Sequence, residues 1–537
     1  MTEVKLSLQS IQNDKALWEE KGFVLPSYDI EKVRANTKEN PEWVHFGGGN
    51  IFRAFPARVQ DEILDEGLAD TGVIIFETFG AEKLDYIFGA NDNLSTAVTL
   101  KSDGTVDLRV VGAIAETVKA TKSQDWARAE EIFAKESLKV VSFTITEKGY
   151  NIKGLDGDFT DQVKAEMKDK DLNVSNSMAI VAALLYHRFK NGAYPITMTS
   201  MDNCSHNGDK LKASVLDFAK AWVENGIVEK EFVEYLEDET KVFFPLSMID
   251  KITPVADESI GKILKEKGYS PVESPIMDGR PQPPSYVNAE ETEYLVIEES
   301  KATSYPAWDK KGIIFTDRKT VDEVETMKVT TCLNPLHTAL AVYGCLLGYD
   351  LISAEMKDED LVKLIKGVGY TEGMPVVVDP GIINPKEFID TVLNVRFPNP
   401  FLPDAPQRIA TDTSQKVAVR YGKTLNAYKA QNPEAIQDLK FIPAVIAGWL
   451  RYLLAIDDEG KAFEPSPDPM LASLQEDLKD VKFKDNEGID DSLLKIIGNE
   501  EIFGIDLVEI GLADKIIADF KEMNKEEGAV RKFLQSL

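Results

Sequence analysis

The stretch WVHFGGGN, residues 43–50, decides the fold. WVHF reads as a short buried strand, and the three glycines end it. A helical pattern follows, with Phe52, Phe55, Val59, Ile63 and Leu64 near one face. Strand, glycine turn and helix are the local parts of a pyrophosphate site. Gly47 allows a tight turn, Gly49 lets the backbone approach the phosphates, and the helix N-terminus offers unpaired N–H groups. Phe52 stands where GxGxxG has its third glycine. Three glycines at a strand end also serve as a plain structural turn, so the motif alone leaves both readings open.

Working outward, VIIFE (73–77) is the next strand, and it ends in Glu77. A carboxylate there can accept hydrogen bonds from adenosine ribose hydroxyls and repels a 2′-phosphate, which favours NAD over NADP. Glu77 lies thirty residues beyond Gly47, longer than the usual fingerprint, and a solvated strand-end carboxylate is the plain alternative. Further strands are expected at LRVVGAIA (108–115), KVVSFTIT (139–146) and YPITMTS (194–200), with helical stretches between several of them. Strand alternating with helix predicts a parallel sheet covered on both faces. SPIMDGRPQPPSY (274–286) reads as proline-rich loop, and EYLVIEE and GIIFTD as short strands. From Glu325 the pattern turns mainly helical, through HTALAVYGCLLG, DEDLVKLIKGVG, PKEFIDTVLNVR, IPAVIAGWLRYLLAI and SLLKIIG. Two domains are therefore expected, 1–320 with an N-terminal extension and 321–537.

The chain has 537 residues, 43% of them hydrophobic, enough for sizeable cores. Acidic residues outnumber basic ones, 91 to 61, for a net charge of −30. Such a surface repels phosphate backbones and anionic membranes, so neither nucleic acid nor membrane is expected as a partner. An anionic small molecule would need local basic groups. Cys204, Cys332 and Cys345 are scattered without a CxxC pair, which fits a reducing compartment. MTEVKLSLQS lacks a signal-peptide core, and the longest apolar runs are too short to span a bilayer. A cytoplasmic protein is expected.

KVTTCLNPLH, 328–337, brings Lys328, Asn334 and His337 within ten residues. A lysine with a lowered pKa can take a proton from an alcohol. An amide can donate to a developing alkoxide, and a histidine can orient the same oxygen. These are parts for metal-free alcohol oxidation with hydride passing to nicotinamide. Asn334-Pro335 is equally a good helix start, with Asn334 as N-cap, His337 in the first turn and Lys328 solvated. No HExxH, GxSxG or Walker A loop occurs, and the four histidines are far apart in sequence, so no metal site is expected.

Five stretches in order resemble one family. HFGGGNIFRAF is similar to its glycine-rich opening, in which an asparagine and an arginine follow. TITEKGY (144–150) is similar to its third-strand motif, SMDNCSHNG (200–208) to its C-D-N-x-x-x-N-G segment and SMIDKITP (247–254) to its S-M-V-D-R-I-T-P. KVTTCLNPLH resembles its K…N-x-x-H. The chain thus resembles the polyol-specific long-chain dehydrogenases, the group of mannitol 2-dehydrogenase and the hexuronate reductases, from about residue 43 to about 420. The resemblance implies an α/β fold: an N-terminal Rossmann-type doubly wound sheet followed by a mainly α-helical C-terminal domain. It implies a zinc-independent reaction with NAD. Lys328 is then the general acid/base, Asn203 and Asn334 polarise the oxygen, and His337 orients it. Asp250 is a substrate contact and Glu325 a proton-exchange residue. QRIATDTSQK (407–416) resembles the R-x-x-x-D-G-S segment and makes Arg408 and Lys416 substrate clamps. Gly47, Gly49, Asn50, Phe52, Arg53 and Glu77 would serve the cofactor.

There are departures. Asn334 lies six positions after Lys328, where the family has five. On one continuous α-helix this would put Lys328 opposite His337. Either a helix begins near Pro335 with Lys328 on the preceding turn, which is the preferred expectation, or a π-bulge absorbs the residue. The glycine motif carries Phe where the family often has His, and SQK lacks the preceding glycine. The expected reaction is reduction of a keto-hexuronate, fructuronate, to the aldonate. A tagaturonate substrate, a polyol substrate and a non-catalytic nucleotide-binding module are the alternatives. The expected partner is a small sugar acid or polyol, and the expected state a monomer or small homo-oligomer.

Overall fold

The computed structural model describes residues 3–154, 156–255, 258–270, 276–277, 280–281 and 283–537. The chain divides into two compact units, Met1–Asp322 and Glu323–Leu537.

The first unit is built on a six-stranded sheet: β1 (Trp43–Phe46), β2 (Val73–Glu77), β3 (Ile114–Lys119), β4 (Val140–Phe143), β5 (Ile196–Ser200) and β6 (Val242–Phe243). Its order is β3-β2-β1-β4-β5-β6, and every pairing is parallel. This is the doubly wound order, with its reversal between β1 and β4. Every residue of β1, β2, β4 and β5 is buried, as expected for parallel strands covered on both faces. Alternation divides them. Val44 and Phe46 join one core cluster with Phe76, Val141, Phe143 and Ile180. Trp43 joins the other with Ile75, Phe52 and Val59.

Helices α1 (Asn50–Ala54) and α2 (Pro56–Asp65) follow β1. Helix α3 (Ser177–Lys190) precedes β5, and Asn176 caps it by accepting from Met178 N and Ala179 N. Helix α4 (Asn207–Glu224) follows β5. A mixed sheet joins Phe23–Val24, Val106–Val111, Ser95–Leu100 and Tyr286–Glu290. Ser247–Asp250 pairs with Tyr294–Glu298, and the latter with Ile314–Thr316.

Three expectations change. LRVVGAIA is not one strand: Val106–Val111 and Ile114–Lys119 belong to different sheets. The break falls at Gly112, whose N–H donates to Asp61 Oδ1 at 2.8 Å rather than to a ladder. The strand expected over 139–146 stops at Phe143. The proline-rich segment holds a two-strand ladder, Ile276–Met277 with Arg280–Pro281, and its end, Tyr286, opens a buried strand. Residues 274, 275, 278, 279 and 282 of that segment lie outside the described residues.

The division between units falls within α5 (Arg318–Met327). The second unit is helical. It includes α6 (Asn334–Leu347), α7 (Glu359–Lys366) and α8 (Phe441–Tyr452). Four π-helical stretches interrupt its helices: Lys328–Cys332, Gly367–Gly373, Val392–Arg396 and Ala418–Gly422. Such turns inside α-helices recur at functional sites.

Candidate active site

In the first unit a cavity of about 630 Å³ opens at the C-terminal ends of β1, β2 and β4, beside the strand-order reversal. Gly47, Gly49, Glu77, Thr144, Thr146 and Ser177 help line it. Gly47 holds φ +99, and a Cβ there would collide with the Thr144 carbonyl oxygen. A Cβ on Gly48 would press on Phe88, whereas one on Gly49 meets nothing. The first two glycines thus let chains pass closely, and the third leaves the cavity wall bare backbone. Glu77 is 5% exposed. Its Oε2 lies 2.6 Å from Lys83 Nζ and accepts weakly from Gly48 N at 3.4 Å. A glycine cradle, a strand-end carboxylate and this volume suit a dinucleotide.

The other residues of that motif face elsewhere. Phe52 stacks on buried His45 with ring centroids 3.9 Å apart. His45 holds Ser142 Oγ at 2.7 Å and Thr144 Oγ1 at 2.8 Å, and burial pushes its pKa down to about 3. Arg53 is fully buried and donates to Pro284 O and to Asn50 Oδ1, both at 2.9 Å. Asn50, Phe52 and Arg53 therefore brace the turn, and none is among the residues lining the cavity.

One carboxylate ties this cavity to the loop after β5. Asp202 accepts the N–H groups of Ile145 and Thr146, each at 2.9 Å, and the Tyr150 hydroxyl at 2.6 Å. Burial raises the Asp202 pKa, and those three donors counter it. Asn203 follows directly and is exposed. Asn207 knits the same loop to the SMIDKITP strand, donating to Asp202 O at 2.9 Å and Ser247 O at 3.0 Å. Asp250 ends that strand and is buried. The neighbouring Lys251 is structural: it donates to Glu290 O at 2.9 Å and lies 2.6 Å from Glu293 Oε2.

In the second unit, Glu325 lies on the last turn of α5, and buried Lys328 opens the π-helical turn. Leu333 N donates to Lys328 O at 3.0 Å, a π-type bond. Leu333 then leaves helical backbone at φ −131, ψ −65, and α6 starts at Asn334 with Pro335 in its first turn. Both sequence expectations thus hold a part. A helix does begin at this point, but Lys328 sits in a π turn that continues α5 and takes up the extra residue. The cap position is Leu333, not Asn334, and no side chain caps it.

His337 Nε2 lies 3.0 Å from Asp404 Oδ2, off the line of a formed hydrogen bond. Its ring leans on Phe397 with centroids 5.0 Å apart. Burial first, then Arg420, Arg408, Arg396 and Lys416, push its pKa down to about 3, so the imidazole is neutral. Arg408 is largely exposed and pairs with Asp404. Lys416 donates to Thr411 O. A second cavity in this unit, about 650 Å³ beside Lys363, Tyr370 and Phe441, holds none of the residues named from sequence. Among the described residues no group of three or more His, Cys, Asp or Glu side chains could hold a metal ion, and no helix is long and apolar enough to cross a membrane.

Sequence reading passed over Asp202, Thr146, Arg396 and Arg420. Asp202 and Thr146 stand inside quoted motifs, so adjacency was a signal. Arg420 lies one helical turn past Lys416, and nothing in its spacing marks it.

The doubly wound sheet, its glycine-lined cavity and the helical second unit define a Rossmann-class, nicotinamide-dependent oxidoreductase. Residues 41–310 match the Mannitol dehydrogenase Rossmann domain and 320–524 the Mannitol dehydrogenase C-terminal domain. The chain belongs to the mannitol dehydrogenase family, oxidoreductases acting on CH–OH groups. It is 48% identical over 537 residues, 99% of each chain, to a D-mannonate oxidoreductase of Thermotoga maritima. It is 28% identical to a polyol:NADP oxidoreductase of Gluconobacter oxydans, over 84% of this chain and 87% of that one. Among solved structures it resembles a substrate-free D-sorbitol dehydrogenase, with TM-score 0.79, 26% identity and coverage of 96% and 97%. It also shares the fold of the mannitol 2-dehydrogenase of Pseudomonas fluorescens, with TM-score 0.69, 24% identity and 99% of each chain covered.

Proposed function

We propose that this protein is an NAD-dependent D-mannonate oxidoreductase, reducing fructuronate to D-mannonate without a metal ion. The observation that carries the reading is the full-length 48% identity to the Thermotoga maritima enzyme. The basic groups around His337, on a chain of net charge −30, support an anionic substrate.

Gly47, Gly49 and Glu77 hold the dinucleotide, with Asn50, Phe52 and Arg53 shaping the turn beneath it. Glu77 selects NAD by accepting from the ribose hydroxyls. The dinucleotide, when bound, supplies hydride to the ketone carbon. Lys328, as ammonium, donates the proton to the ketone oxygen. Asn203 and Asn334 donate to that oxygen as charge develops, each worth on the order of 3 kcal/mol at the transition state. His337, neutral, orients the same oxygen. Asp250 contacts the sugar hydroxyls, Arg408 and Lys416 flank the substrate, and Glu325 passes the proton on to solvent. The protein works in the cytoplasm on a small sugar acid, as a monomer or small homo-oligomer.

A substrate panel at fixed NADH tests the reading, with fructuronate, tagaturonate, fructose and, in the oxidative direction with NAD, mannitol and D-mannonate. Fructuronate is expected to have the highest kcat/KM. Turnover of fructose but not fructuronate would overturn it.

A further inference from the structure

Four cations act on the half-buried His337 imidazole, and their commitments differ. Arg408 is paired with Asp404 and largely exposed, and Lys416 donates to the Thr411 carbonyl. Arg396 sits wholly inside the fold. Arg420 is half-buried, and its guanidinium donates to the Thr338 hydroxyl. No ion pair joins it to a carboxylate among the described residues, and burial raises the pKa of the neighbouring Tyr421 phenol, which stays neutral and supplies no counter-charge. Burial lowers its pKa to about 10, which leaves it charged at neutral pH.

A half-buried charge without a counter-ion is costly, and an anion that reaches it recovers that cost. Arg420 is also held in place. It lies in the π-helical turn Ala418–Gly422. Next to it the Tyr421 hydroxyl donates to Pro335 O at 2.7 Å, and Thr424 Oγ1 donates to Thr330 O at 3.1 Å. Those two carbonyls lie either side of the break between Lys328 and His337. The guanidinium is thus fixed to the segment that carries the expected acid and the neutral imidazole. A planar fork of N–H donors matches a carboxylate, whereas a neutral polyol end makes only single, uncharged hydrogen bonds to it.

We propose that Arg420 is the carboxylate-binding residue, the group by which this chain selects a sugar acid over a neutral ketose or polyol. This rests on the sugar-acid reading above and assigns its charge recognition to one side chain. Arg408, already paired with Asp404, is secondary.

The test uses the full-length protein. At saturating NADH, kcat/KM is measured for fructuronate and for fructose, a neutral ketose of the same length, in the wild type, Arg420→Met, Arg420→Lys and Arg408→Met. Calorimetric titration with D-mannonate reads binding apart from turnover. Arg420→Met is expected to reduce the fructuronate-to-fructose preference at least about a hundredfold, chiefly through KM, and to weaken D-mannonate binding. Arg420→Lys is expected to keep part of the preference, and Arg408→Met most of it. An Arg420→Met protein that loses both ketones in proportion, or keeps its preference, overturns the proposal. Should Arg420→Met fail to fold, Arg420→Lys decides: an unchanged preference overturns the assignment, and a drop of about tenfold with wild-type melting supports it. A wild type that does not prefer fructuronate overturns the functional reading itself, before any variant is compared.

Discussion

Asp202 Oδ1 accepts the backbone N–H of Thr146 at 2.9 Å, and Thr146 holds φ +65 with ψ 159. A β-branched residue in that region is strained by about 1–3 kcal/mol. The other Asp202 oxygen takes the Ile145 N–H and the Tyr150 hydroxyl. One carboxylate thus holds a strained turn against the cavity wall, and its backbone carries straight on to Asn203.

Asp202→Ala should therefore destabilise the first unit by about 2 kcal/mol, because the buried Tyr150 hydroxyl and two part-buried backbone N–H groups lose their acceptor. Adding Thr146→Gly should return about 1 kcal/mol by removing the strain. Urea unfolding of the two variants is the check. Equal midpoints would mean that Asp202 does not hold the strain.

Lys83 sits 2.6 Å from Glu77 at the cavity wall. Removing the carboxylate in Glu77→Ala releases the ammonium toward a 2′-phosphate. The NADP-to-NAD ratio of kcat/KM should rise at least about tenfold, and Glu77→Ala with Lys83→Ala should lose most of that gain. A ratio that stays put would remove Glu77 from cofactor choice.

Lys328→Ala should lower kcat about 10³-fold while dinucleotide fluorescence titrations stay unchanged. Unaltered turnover would take the amine out of the proton transfer.

Glu355 is fully buried beside Gly344, and among the described residues neither of its carboxylate oxygens has a hydrogen-bond partner. Burial first, then the Asp358 charge, push its pKa from 4.5 up to about 9. The folded state keeps the proton over that interval while the unfolded chain releases it. Stability is therefore fully present below about pH 4.5 and falls as pH rises toward about 9. Each pH unit between costs about 1.4 kcal/mol from this group. Glu355→Gln lacks this titration, so it should match the wild type near pH 4.5 and exceed it by a few kcal/mol at pH 8. Parallel pH profiles of the urea midpoint would refute this.

Much of the first unit was legible in the sequence. WVHF, VIIFE and YPITMTS are dense apolar runs bounded by breakers, and each holds a strand. The strand Ser95–Leu100 was passed over because STAVTL is half hydroxylated, and its burial comes from pairing with Val106–Val111 and Tyr286–Glu290. In the second unit the helical periods could be read, but not the π turns. A π turn leaves no apolar period of its own. Its one trace was the extra residue between Lys328 and Asn334.

The sequence by itself determined the strand–glycine–helix opening, the parallel alternation after it and the close spacing of Lys328, Asn334 and His337. Periodicity, turn chemistry and spacing are local properties, written within a dozen or so residues. Only the tertiary structure decided that Asp202 would hold Thr146, 56 residues away, and that Arg420 would reach Thr338, 82 residues away. Those pairings arise when separately formed elements pack and their buried polar groups must find partners, and no interval along the chain records which partner each will find.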